Sequence, residues 1–97
     1  MKSIYISGKI TGMEEEAFEL FEKAEKQFRL IDVNVVNPMK LKHDHDKSWN
    51  SYMKECIKAL CDCDTIYMLT NYKESKGAII ELNLAIELGI DVIFQKK

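Results

Sequence analysis

The chain has almost no net charge, no long apolar run and no internal repeat. Fourteen Lys and Arg stand against 16 Asp and Glu, for a net charge of −2 and a pI near 5.7. That balance lacks the positive surplus that draws proteins to nucleic-acid polymers, so none is expected as a partner. No apolar stretch approaches the ~20 residues of a membrane span, and no signal peptide opens the chain, Met1 leading directly into strand-like residues. A membrane partner is not expected either. Cysteine is scarce: Cys56, Cys61 and Cys63, an odd number with no CxxC pair. This excludes a disulfide scaffold and points to reduced thiols in a cytoplasmic setting. Together with His43 and His45 the cysteines fit no standard zinc spacing, so no metal is expected, nor any other cofactor.

What is present is ordinary for a globular protein: 46% apolar and 31% charged residues. Ninety-seven residues make one domain, 1–97. Such a chain buries a modest core, so self-association into a homodimer or larger is expected to help it.

Lys2–Ser7 alternates and is rich in β-formers, which predicts a first strand. From Met13 to Arg29 apolar residues recur at helical spacing behind Glu14, Glu15 and Glu16, which suit a helix amino terminus. Val33–Val36 is a short β-branched run stopped by Asn37-Pro38. Met39–Lys47 is aperiodic, a long loop and a candidate lid. Ser48 reads as the cap of a helix from Trp49 to about Leu60. Thr65–Leu69 is apolar throughout, as a central parallel strand should be. A polar loop, Asn71–Lys76, precedes a helix from Gly77 to Leu88, ended by Gly89. Asp91–Phe94 is the fourth strand.

This alternation predicts an α/β three-layer sandwich: a four-stranded parallel sheet of flavodoxin-like order 2-1-3-4, with helices on both faces. Ligands bind such sheets at the carboxyl edge, where strand order reverses, here between strands one and three. Two distant segments converge there. One is Tyr5-Ile6-Ser7-Gly8-Lys9-Ile10-Thr11-Gly12, a strand breaking into a glycine-bearing turn whose N–H groups can face a phosphate or sugar. The other is Ser75-Lys76-Gly77-Ala78-Ile79-Ile80-Glu81, a helix start holding one carboxylate among apolar residues.

Ser7, Gly8, Lys9, Gly12, Ser75 and Gly77 are the candidate substrate-binding residues. Glu81 points either to solvent or into the cleft. In the cleft it serves as nucleophile or general base, and a carboxylate suits attack on an anomeric carbon with an oxocarbenium-like transition state. Tyr5 either orients Glu81 by a hydrogen bond or is a core tyrosine. Ser75 either donates to a phosphate or caps the helix.

The segment Tyr5-Ile-Ser-Gly8…Gly12, Asn37-Pro38, Asp64 before an apolar strand, and Gly77-Ala-x-x-Glu81-x-x-x-Ala85-x-x-Leu88-Gly89 together resemble the nucleoside 2-deoxyribosyltransferase superfamily. The resemblance is closest to its short DUF4406 branch and spans nearly the whole chain. It implies cleavage of the N-glycosidic bond of a 2′-deoxynucleoside or its 5′-monophosphate, with Glu81 as nucleophile and Tyr5 orienting it. At the position that contacts the sugar 5′ end, transferases carry aspartate and the similar 2′-deoxynucleoside 5′-phosphate N-hydrolase carries serine. Ser75 stands there, and with Lys9 it tilts the reading toward a nucleotide.

One position departs from the pattern. The family's acid/base aspartate falls on Cys56, a poor proton donor to a leaving base. Glu55, about 100° away on the helix, and Asp62 and Asp64 at its exit are the alternative acid/base candidates. The family also tends to complete its site from a neighbouring subunit. Two further readings stand beside the enzyme: a non-catalytic nucleotide-binding or sensing module with the same pocket, motivated by Cys56, and an interaction protein whose Glu81 is structural.

Overall fold

A computed structural model describes residues 2–43 and 46–96 of the chain. Met1 and His45, both drawn on above, lie outside the described residues. The elements are β1 (Lys2–Ser7), α1 (Glu14–Phe28), β2 (Val33–Val36), α2 (Trp49–Cys61), β3 (Thr65–Met68), α3 (Lys76–Glu87) and β4 (Asp91–Phe94). All four strands pair in parallel in the order β2-β1-β3-β4, with Tyr5 flanked by Val36 and Ile66. The expected architecture is therefore the observed one. Boundaries move by a residue: α3 begins at Lys76 because Ser75 is its cap, accepting from the Ala78 N–H at 3.1 Å.

Two stretches expected to be irregular each contain one 3₁₀ turn, Pro38–Lys40 and Tyr72–Glu74. In the first, Pro38 presets the backbone at the turn's start, and the Asn37 side chain accepts from the Met39 N–H at 2.9 Å. The same Asn37 donates to Glu25 at 3.1 Å, tying this turn to α1.

The sheet is covered on both faces, and β1 shows how. Successive side chains of a strand point to opposite faces. Ile4 and Ile6 pack with Ala17, Phe21 and Ala24 of α1. Tyr5 packs on the other side, with Cys56 and Leu60 of α2 and Ala78 and Ala85 of α3. Phe21, Leu60 and Ile66 are fully buried. Side chains of this kind each contribute about 1.5–3 kcal/mol by leaving water. At the far edge Ile93 and Phe94 of β4 remain exposed. Among the described residues no helix is long and apolar enough to cross a membrane.

Candidate active site

A parallel sheet brings the loops after its strands, and the first turns of the helices that follow, to one edge. Here that edge holds a cleft of about 290 Å³. Its walls are the turn after β1 (Gly8–Thr11), the first two turns of α2 (Trp49, Tyr52, Met53, Cys56) and the segment Glu74–Ala78. Gly8 sits so close to the loop after β3 that a Cβ there would stand 2.8 Å from Leu69 Cδ1 and 3.1 Å from Asn71 Oδ1. The approach lets the Lys9 N–H donate to Asn71 Oδ1 at 3.0 Å, joining the two loops at the switch point.

Glu81 lies inside, at the floor. Ala78, Glu81 and Ala85 are the buried residues of α3, and their i, i+3, i+7 spacing is one stripe facing the sheet. Glu81 is only 5% exposed. The face of β1 beneath it carries Tyr5 and Ser7, two residues apart and so on one side of the strand. The Tyr5 hydroxyl donates to Glu81 Oε2 at 2.6 Å, and the Ser7 hydroxyl donates to Oε1 at 2.7 Å. Burial pushes the Glu81 carboxyl above its ordinary value, and the two donated hydrogen bonds oppose that rise. Burial first, then the Glu81 charge, holds the Tyr5 phenol well above its usual range, so it stays a neutral donor.

Cys56 closes the floor from α2. Burial, reinforced by the charge of Glu81, pushes its thiol up to about 12, so it is neutral at physiological pH. At the rim, Lys76 Nζ lies 4.7 Å from the centre of the Trp49 ring, a cation–π contact between α3 and α2.

Of the residues singled out from the sequence, Tyr5, Ser7, Gly8, Lys9, Ser75, Gly77 and Glu81 line this cleft. Gly12 does not; it holds the turn into α1 at a φ of 85°. Glu55 points away from the lining, at 3.9 Å from Lys58. Asp62 caps the carboxyl end of α2, and Asp64 accepts from the Ser3 N–H at 2.9 Å. Both therefore sit at the opposite edge of the sheet, because α2 runs away from the cleft. Among the described residues no three of His, Cys, Asp and Glu converge. Of the thiols, Cys56 and Cys63 are buried but Cys61 is exposed.

Sequence reasoning passed over Tyr52, Met53, Glu74 and Lys76 as lining. The usable signal was positional, since residues in the first turns after a parallel strand face the carboxyl edge.

A family model described as a domain of unknown function, DUF4406, matches residues 2–94. The chain belongs to the DUF4406 family. Comparison with curated proteins finds no match. Among solved structures, this DUF4406 protein is similar to a 2-deoxyribosyltransferase from the psychrotolerant bacterium Bacillus psychrosaccharolyticus. The TM-score is 0.72 at 21% identity, over 95% of this chain and 70% of that one. It is also similar to a 2-desoxiribosyltransferase from Leishmania mexicana, with a TM-score of 0.75 at 20% identity, over 97% of this chain and 63% of that one. The DUF4406 chain thus has the 2-deoxyribosyltransferase fold and spans 63–70% of the length of these two structures.

Proposed function

We propose that the protein cleaves the N-glycosidic bond of a 2′-deoxynucleoside or its 5′-monophosphate, with Glu81 as nucleophile. The observation that carries this is a buried carboxylate, held by Tyr5 at 2.6 Å, at the floor of a cleft of about 290 Å³. An oxygen of Glu81 forms a bond to the anomeric carbon as the carbon–nitrogen bond breaks. The bonding pair leaves with the base, which takes up a proton from solvent water in the cleft; when water later attacks, its proton returns to solvent. Water or a second base then attacks the same carbon, releases Glu81 and yields the sugar or the exchanged nucleoside. The negative charge so close to the sugar offsets the positive charge of the oxocarbenium-like transition state. Tyr5 orients the carboxylate. Lys9 and Lys76 at the mouth, with Ser75 at the start of α3, suit a 5′-phosphate.

The reading fits a reducing compartment, given three free cysteines. It also fits a homo-oligomer, because Ile80 and Ile86 of α3, and Leu88 just after it, stand exposed. Light scattering that gives a monomer mass at working concentration would remove that part. A second reading, a nucleotide-binding module without turnover, is favoured by the neutral thiol of Cys56 in the cleft, which is a poor acid for a leaving base.

The test is base release. The protein and Glu81→Ala are incubated with the four deoxynucleosides and their 5′-monophosphates, with and without a second free base. Glu81-dependent release is expected, with exchange marking a transferase. Release that Glu81→Ala leaves untouched overturns the glutamate mechanism. Binding without release from any substrate favours the module.

A further inference from the structure

Ser7 was singled out above as a substrate contact. Its surroundings give it another partner. It is 1% exposed, and although it lines the cleft its single hydroxyl proton is donated to Glu81 Oε1 at 2.7 Å. Tyr5 holds the other oxygen, Oε2. Two donors hold both oxygens of the carboxylate, whereas one donor alone would leave the second oxygen buried with one partner fewer. Both donors come from one face of one central strand, two residues apart, so they are fixed relative to each other by the sheet itself. The Ser7 backbone is also held, its carbonyl accepting from the Leu69 N–H at 2.8 Å.

We propose that Ser7 is a positioning residue for Glu81: it forms, with Tyr5, a two-point clamp that holds both carboxylate oxygens and favours the ionised form. This rests on the reading of Glu81 as the reacting carboxylate. A buried carboxylate with no donors would take up a proton and lose its nucleophilicity. Each neutral donor counters that without adding a charge that would compete for the transition state. Cys56 and Tyr52 on α2 are pushed up by burial and stay neutral. Lys9, Lys76 and Glu74 line the outer part of the same cleft.

The test compares wild type with Ser7→Ala and with Ser7→Cys, a weaker donor of nearly the same shape. The first readout needs no turnover. Isotope-edited infrared spectroscopy follows protonation of the Glu81 carboxyl, isolated as the difference against Glu81→Gln. Its midpoint is expected to rise by about one pH unit in Ser7→Ala and by less in Ser7→Cys. The second readout is base release. Ser7→Ala is expected to lose about tenfold or more in kcat, with KM nearly unchanged and the acid limb of the pH profile moved up to match the spectroscopic midpoint. Midpoints unchanged in both variants overturn the clamp, as does a loss confined to KM, which would mark a substrate contact. If Ser7→Ala does not fold, Ser7→Cys alone decides on the same criterion. Wild-type protein without any base release overturns the proposed function and leaves the infrared result to judge Ser7.

Discussion

The Tyr5 hydroxyl and the Glu81 carboxylate meet at 2.6 Å across 76 positions of sequence, with Tyr5 fully buried. Burial first, then the Glu81 charge, keeps this phenol protonated and able to donate. Tyr5→Phe removes the donor and keeps the ring, so the core should survive. Base release is expected to fall about ten- to a hundredfold, with its acid limb moved to higher pH because Glu81 then keeps its proton longer. An unchanged pH profile in Tyr5→Phe would show that the phenol serves packing alone.

Glu81 should cost the fold stability when charged. Burial raises its value in the folded chain above that of the unfolded chain. The folded state therefore holds the proton more tightly. The resulting stabilisation is complete below the unfolded value and is lost as pH rises through the folded one. Glu81→Gln, uncharged at every pH, is expected to melt above wild type near about pH 8, and the gap should close on acidification toward about pH 4. The same variant is expected to lose at least about a thousandfold in base release. Melting curves that keep a constant gap at all pH values would contradict the linkage.

Gly8 and Gly77 both line the cleft but should respond differently to a methyl group. At Gly8 a Cβ meets Leu69 Cβ at 2.9 Å and Asn71 Oδ1 at 3.1 Å, both close to the backbone of the opposing loop. Gly8→Ala is expected to lose about 1–3 kcal/mol by overpacking and to break the Lys9–Asn71 link. At Gly77 the nearest atom is Met53 Sδ at 2.9 Å, the flexible end of a side chain. Gly77→Ala should cost less in a urea melt and act mainly on KM. Equal stability losses would refute the distinction.

The thiols give a chemical test of the cleft. Cys61 is exposed, whereas Cys56 is 2% exposed with its thiol pushed up to about 12. A thiol reagent at neutral pH should modify Cys61 first and reach Cys56 only on unfolding. Mass mapping that finds Cys56 labelled first in folded protein would contradict this floor.

The alternation of strands and helices, the strand order and the meeting of the two end segments were all legible from periodicity and turn residues. The orientation of Glu81 was not. α3 buries a carboxylate and leaves Ile80 and Ile86 exposed, so polarity misreports which face is inside. Ser7 was equally opaque, since a serine ending a strand is common and only the three-dimensional register shows its partner. Asp62 and Asp64 seemed near Cys56 in sequence, but the second half of α2 carries Asp62 about 9 Å further from the cleft, to the other edge of the sheet.

Tyr5 and Ser7 on β1 meet Glu81 on α3, so the strand is synthesised 74 to 76 positions before its partner. A nascent chain that has closed β1, β2 and α1 holds Tyr5 and Ser7 but has no carboxylate for them to grip. Assembly of this site thus waits on a closure across 76 positions of sequence.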